Sequence, residues 1–284
     1  MTVYTSAYPD VTIPKRSVTE HVLRHADRLA DKVAMIDGPT GRTLTYGQLR
    51  DRIHSLAGGL QAQGVGPGVT LALMAPNLPE YAIVFHAIAL AGATVTTLNP
   101  TYGAEELAFQ LKDAQAQWMI TIGLFAETAA TACDAVHITK RVLIGPAQDG
   151  WTALADLFGA PIAGQVAVDT AETVVALPYS SGTTGFPKGV MLTHRNLVAN
   201  LIQTEGPIHM GEDEVIFAVL PFFHIYGMTV LMNFGLAQGA TVVTVPRFDM
   251  VQMLELTQSL RITRLFLVPP IVLALAKHPI VNKY

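Results

Sequence analysis

Tyr179-Ser-Ser-Gly-Thr-Thr-Gly-Phe-Pro-Lys-Gly189 decides how the rest of the chain reads, and Val-Met-Leu-Thr-His-Arg-Asn196 follows it directly. The apolar run Thr173–Leu177 that leads into it reads as a buried strand. Three glycines (Gly182, Gly185, Gly189) and four hydroxyls (Ser180, Ser181, Thr183, Thr184) crowd around one cation, Lys188. Glycines let a backbone turn sharply and aim successive N–H groups at one spot, a concavity suited to anions. The hydroxyls add neutral donors, and the lysine adds a point charge able to follow a phosphate. Beyond the loop, Thr193 is placed to cap a helix running to about Gln203. An ordinary strand-to-helix turn shares the glycines but has no reason for this length, order of residue types and lysine. The stretch reads as a phosphate loop.

Two common phosphate motifs are excluded by spacing. A P-loop needs G-x-x-x-x-G-K-[ST], with a hydroxyl beside the lysine for magnesium. Here Pro187 stands five after Gly182, and Gly189 follows Lys188. The dinucleotide pattern G-x-G-x-x-G is not matched either. The loop does resemble, nearly letter for letter, the signature loop of the adenylate-forming superfamily, which includes acyl-CoA synthetases, peptide-synthetase adenylation domains and beetle luciferases. The resemblance implies that Ser180, Ser181, Gly182, Thr183, Thr184, Gly185 and Lys188 hold the triphosphate of ATP while a carboxylate attacks the α-phosphorus.

Working outward, helix and strand signals alternate. Ser17-Val-Thr-Glu20 is a capping box opening a helix to about Ala30, and Thr45-Tyr-Gly-Gln48 opens another to about Gln63. Between them Val33–Ile36 and Arg42–Thr45 flank a turn and read as a hairpin. Strands are predicted at Val69–Met74, Thr94–Leu98, Trp118–Ile122 and Arg141–Ile144, with helices at Pro79–Ala91, Ala104–Ala114 and around Ala126–Cys133. After the loop come strands at Val215–Leu220, Thr241–Val245 and Arg264–Val268, and helices at Tyr226–Ala237, Met250–Leu260 and Pro270–Lys277. Repeated β-α-β order with Val/Ile/Leu-rich strands argues for parallel sheets covered on both faces. The stretch Ala147–Thr170 carries the weakest structural signal and reads as a surface segment.

Composition narrows the function. The 284 residues carry a net charge of −4, with no basic footprint for nucleic acid. One cysteine, Cys133, excludes an intrachain disulfide and suits a reducing compartment, so a cytoplasmic protein is expected. The mean hydropathy of +0.37 calls for a membrane check. The uncharged stretches Tyr81–Ala104 and Val215–Pro246 are interrupted by His86, Pro221, His224, Asn233 and Gly239, and read as buried helix–strand pairs rather than spans. No G-x-S-x-G elbow occurs. His21 and His25 lie one helical turn apart but lack a third metal ligand, and they read as a solvated helix face.

Pro221-Phe-Phe-His-Ile-Tyr-Gly227 is the second informative patch, ending a strand and opening a helix, where α/β folds place ligand contacts. A histidine there can act as a general base, an orienting donor or a gate, or pack as a core residue. The same motif recurs in the resembled superfamily, most closely in 4-coumarate–CoA ligases. The resemblance implies that His224 positions the carboxylate or adenylate and that Tyr226 lines the acyl pocket. In Val245-Pro-Arg-Phe-Asp249 it implies a place on the CoA side for Arg247.

The likeness runs from about Ser17 to Tyr284 and covers the front part of the family pattern. It implies an α/β fold of two stacked, mostly parallel sheets flanked by helices, the N-terminal part of an acyl-adenylate domain without its C-terminal lid. One sub-sheet is expected from about residues 71–192 and another from about 17–70 plus 196–284, within a single truncated AMP-binding domain spanning 1–284. The family's magnesium-binding glutamate, ribose-binding aspartate and adenylation lysine have no match here. The Mg2+ ligand is therefore expected outside this sequence, and these residues alone are not expected to complete the reaction. The apolar surface near Phe266–Leu275 is expected to lie bare or to be covered by self-association. The implied function is ATP-dependent ligation of an aryl or fatty carboxylic acid to CoA. The alternatives are an adenylation domain, a luciferase-like enzyme, or a non-catalytic nucleotide- or acyl-binding fragment.

Overall fold

A computed structural model describes residues 5–180 and 187–284. In chain order its strands are β1 (Val33–Asp37), β2 (Thr43–Thr45), β3 (Thr70–Met74), β4 (Thr94–Thr97), β5 (Trp118–Thr121), β6 (Lys140–Leu143), β7 (Thr152–Ala153), β8 (Val174–Ala176), β9 (Tyr179–Ser180), β10 (Lys188–Gly189), β11 (Leu192–Thr193), β12 (Val215–Ala218), β13 (Thr241–Thr244) and β14 (Arg264–Leu265). The helices are α1 (Val18–Val22), α2 (Tyr46–Ala62), α3 (Pro79–Leu90), α4 (Ala104–Asp113), α5 (Ala126–Ala135), α6 (His194–Glu205), α7 (Gly235–Ala237), α8 (Met250–Ser259) and α9 (Pro269–Lys277).

The architecture is α/β, with two main sheets. A seven-stranded sheet has the order β11-β8-β4-β3-β5-β6-β7, and a five-stranded sheet the order β14-β12-β13-β1-β2. Pairings are parallel except β11 on β8 and β2 on β1, and β9 with β10 forms a separate antiparallel ribbon. Successive side chains of a strand point to opposite faces. Leu71 and Leu73 of β3 accordingly enter one core while Ala72 and Met74 enter the other. The second core is closed by Leu107 and Leu111 of α4 and Ala129 and Ala132 of α5.

The helix α3 explains how the sheets stack. Eleven of its twelve residues are buried, and only Glu80 escapes. A helix apolar on every side has no face to turn to water. It touches β3 and β4 of one sheet, β1 of the other, and α1 and α2 beside it. No described helix is long and apolar enough to cross a membrane.

Several expectations are corrected. The first helix stops at Val22 rather than Ala30, because turn-type bonds such as Ala26 N–H to the Leu23 carbonyl (2.8 Å) bend the chain and bring Ala26 and Leu29 inward. The segment around 147–170 is not merely surface: β7 lies in it, and Trp151, Leu154 and Leu157 are buried. It straps onto α2 at Gly58 and Gly59. A Cβ on Gly59 would stand 1.5 Å from the Leu157 carbonyl oxygen, and one on Gly58 1.9 Å from that of Ala160. The region 226–237 begins as a π-helix over Gly227–Phe234 before α7. Strand β14 ends at Leu265 rather than Val268, its last partner being Phe217 of β12. Along that edge Leu265, Val268, Val272 and Leu273 are exposed.

A polar seam crosses the main core where α1, α3 and α6 meet. Val18 N–H donates to His194 Nδ1 (3.2 Å), and Thr19 Oγ1 lies 3.1 Å from His86 Nδ1. Burial lowers the His86 ring to about 3 and the His194 ring to about 4. His21 also falls to about 4, first through burial and then through Arg24, Arg16 and His25. These rings fold neutral, whereas the unfolded chain protonates them below its ordinary histidine value near 6.5. Their stabilisation is therefore present above that pH and is lost as pH falls toward 4. Lowering pH from about 7.5 to 5 is expected to remove on the order of 2 kcal/mol per ring, read as falling urea midpoints. In His194→Asn, where an amide oxygen can still accept from Val18, the slope should flatten.

Candidate functional site

Parallel strands of α/β sheets carry their ligands at their carboxyl ends. Here strands from both sheets end at one edge. From the seven-stranded sheet β4 leads to Thr97 and Asn99, and β8 to Pro178, Tyr179 and Ser180. From the other, β12 leads into Pro221–Ile225. These segments, with Tyr102 and Gln110, enclose a cavity of about 370 Å³.

The stem of the phosphate loop forms one wall. Ser180 pairs with Lys188 and Tyr179 with Gly189 in the β9–β10 ribbon. Tyr179 Oη donates to Asp113 Oδ2 at the end of α4 (2.5 Å), and burial followed by that bond pushes the phenol well above its usual value. A Cβ on Gly189 would press on the Tyr179 ring at 3.2 Å. Downstream, Thr193 and Asn196 form the capping box that starts α6. Lys188 is exposed. Ser181, Gly182, Thr183, Thr184 and Gly185 lie outside the described residues.

The aromatic patch forms the opposite wall. Phe222 is buried edge-on to Tyr81 of α3, with ring centroids 5.7 Å apart. Phe223, His224 and Ile225 line the cavity. His224 Nδ1 accepts the Tyr226 backbone N–H (3.3 Å), which in the neutral ring leaves the proton on Nε2. Tyr226 is itself exposed and does not line this cavity. Gly227 packs so tightly that a Cβ would stand 2.1 Å from the Pro221 carbonyl oxygen.

Arg247 sits elsewhere. It lines a neighbouring cavity of about 350 Å³ with Asn77, Val245 and Phe248, and Asn99 and Phe223 border both spaces. Among the described residues no three His, Cys, Asp or Glu side chains group as a metal site requires. Sequence reasoning missed Asn77, Thr97 and Asn99. Asn77 and Asn99 each stand beside a proline just past a strand, the signature of a turn. That signature hides what the Asn77 side chain reaches.

Comparison with known proteins follows the same lines. The AMP-binding enzyme family profile matches residues 22–284. The chain is 36% identical to 4-coumarate–CoA ligase 1 of Petroselinum crispum over 99% of its length and 53% of that protein. It is 39% identical to 4-coumarate–CoA ligase 5 of Oryza sativa subsp. japonica, again over 99% of its own length and 53% of the relative. A solved long-chain-fatty-acid–CoA ligase from Archaeoglobus fulgidus superposes with a TM-score of 0.89 at 25% identity, covering 96% of this chain and 55% of that one. The chain thus spans about half the length of the curated relatives it matches.

The Gly227 contact gives a direct test. Because the clash in Gly227→Ala is with backbone, the turn itself must shift. Stability is expected to fall by about 3 kcal/mol or more in denaturant melts, and the cavity wall at His224 should lose its order in a crystal structure of the variant.

Proposed function

The chain belongs to the AMP-binding enzyme family, and from that membership we propose that it serves an ATP-dependent acid–thiol ligase. A carboxylate oxygen attacks the α-phosphorus of ATP, the bond to the β,γ-diphosphate breaks, and pyrophosphate leaves with the electron pair. The CoA thiolate then attacks the acyl carbon, and AMP leaves. One observation carries this reading: the phosphate-loop stem and the Phe223-His224-Ile225 turn face each other across one cavity at the carboxyl ends of strands from both sheets.

An anionic nucleophile and a polyphosphate repel each other, so donors and cations must already stand where charge accumulates. Ser180, Ser181, Gly182, Thr183, Thr184, Gly185 and Lys188 are assigned that role toward ATP. His224, with Nε2 free to donate, positions the carboxylate and then the adenylate. Tyr226 is assigned to the acyl group. Arg247, in the second cavity, is assigned to a phosphate of CoA, and the Asn99–Phe223 partition between the two spaces suits a thiol arriving from that side. Magnesium would accompany ATP, but the described residues offer it no carboxylate cluster, and no step here runs through it. The names of the plant relatives favour an aryl propenoate such as 4-coumarate over a fatty acid.

ATP–pyrophosphate exchange with a panel of aryl and fatty acids tests the proposal, measured on the whole protein to which these 284 residues belong. Exchange dependent on an aryl acid is expected from the intact protein, and its absence with every acid would remove the ligase reading. In His224→Ala the rate should fall by about 100-fold with thermal stability little changed. A large drop in stability with unchanged turnover per folded molecule would make His224 a packing residue.

A further inference from the structure

We infer that Asn77 is a positioning residue for this site, holding the Phe222–Phe223–His224 turn from the opposite sheet. The inference rests on the ligase reading for its kinetic consequences but not for its geometry. Asn77 follows β3 of the seven-stranded sheet, whereas the turn follows β12 of the other. Asn77 is only 4% exposed. Nδ2 donates to the carbonyl oxygens of Ala218 (2.9 Å) and Leu220 (2.8 Å), and Oδ1 accepts the Phe222 N–H (2.7 Å).

Both amide hydrogens and the oxygen are thus engaged, at three points across the exit of β12. The path of the chain there follows a foreign side chain instead of its own ladder. One residue further on, Thr97 Oγ1 of β4 donates to the Phe223 carbonyl (2.8 Å). Only at His224 does the turn close on itself, through His224 N–H to the Pro221 carbonyl (3.1 Å) and Tyr226 N–H to His224 Nδ1 (3.3 Å). Asn77 and Thr97 thus fix the backbone from which His224 projects, and the Tyr226 N–H then fixes the ring and the direction of Nε2. Aspartate has the same shape but no N–H, and sets an anion against two carbonyl oxygens. Leucine leaves two buried acceptors and one donor without partners. Asn77 also borders the second cavity, yet its bonding groups are taken, so its effect should appear in turnover and not in substrate affinity.

The experiment compares the intact wild-type protein with Asn77→Asp and Thr97→Val. Three quantities are read: melting temperature, the rate at which diethyl pyrocarbonate modifies His224 by peptide mapping, and exchange kinetics at about pH 6 and pH 8. In Asn77→Asp, His224 modification should change several-fold, and kcat should fall about tenfold to a hundredfold with KM values within about threefold. The deficit should narrow at the lower pH, because protonating the introduced carboxylate restores one donor toward the carbonyls. Thr97→Val should shift the same quantities in the same direction by less.

A folded Asn77→Asp with His224 reactivity and kcat within about twofold of wild type overturns the inference. So does a deficit confined to KM, or one independent of pH. If Asn77→Asp does not fold, Thr97→Val decides, and unchanged His224 reactivity there counts against the inference. Should the wild type show no exchange with any acid, the ligase reading fails while the modification rates still judge the role of Asn77.

Discussion

A helix with no polar side is the constraint from which this architecture follows. The helix α3 can be stable only where apolar groups meet it all round, and two sheets supply them, β3 and β4 on one side and β1 on the other. Stacking the sheets on a shared helix layer brings their carboxyl edges to one side of the molecule. The cavity bordered by Thr97, Tyr179 and His224 forms at that edge.

The hydrophobic driving force that stacks the two sheets is non-directional and leaves small relative displacements to be fixed by side-chain interdigitation and by polar contacts. Directional bonds are the polar part. Asn77 and Thr97 reach from one sheet to the backbone of the turn leaving the other. Tyr179 ties the phosphate-loop stem to Asp113 of α4 by an exposed side-chain bond. Where such bonds are buried, an unmade partner is expensive and geometry is accordingly well determined. Both walls of the cavity are thus referred to the seven-stranded sheet.

Much of this was legible in the residues, and the reasons are specific. Capping boxes at Ser17 and Thr45 and the cap at Thr193 are local chemistry, and all three are formed. The β-strands near 70, 94, 118, 215 and 241 were visible because buried parallel strands are nearly continuous apolar runs. The strap over residues 151–162 was not, because its partner is a pair of helical glycines a hundred residues earlier, and a missing side chain leaves no pattern to read. Asn77 was illegible for the opposite reason. Its sequence neighbours explain it fully as a turn residue, and its real partners lie some 140 positions away. The π-helical winding of Gly227–Phe234 likewise has no counterpart in the apolar pattern that marks the segment as helical.

The pairing of β1 with β13 has a consequence for how the chain is made. Met35 stands opposite Val242, roughly 200 residues later. At a synthesis rate of about 5–20 residues per second, β1 waits on the order of 10–40 s for its parallel partner to be translated. Throughout that interval α3 can meet β1, α1 and α2, but the second sheet beyond β1 and β2 is not yet there to complete its cover. The seven-stranded sheet, whose strands lie between residues 70 and 193, can assemble first with its apolar helix layer only partly covered. A nascent chain in that condition is a natural client for a holding chaperone, and synonymous codons that slow translation between β8 and β13 would lengthen its exposure.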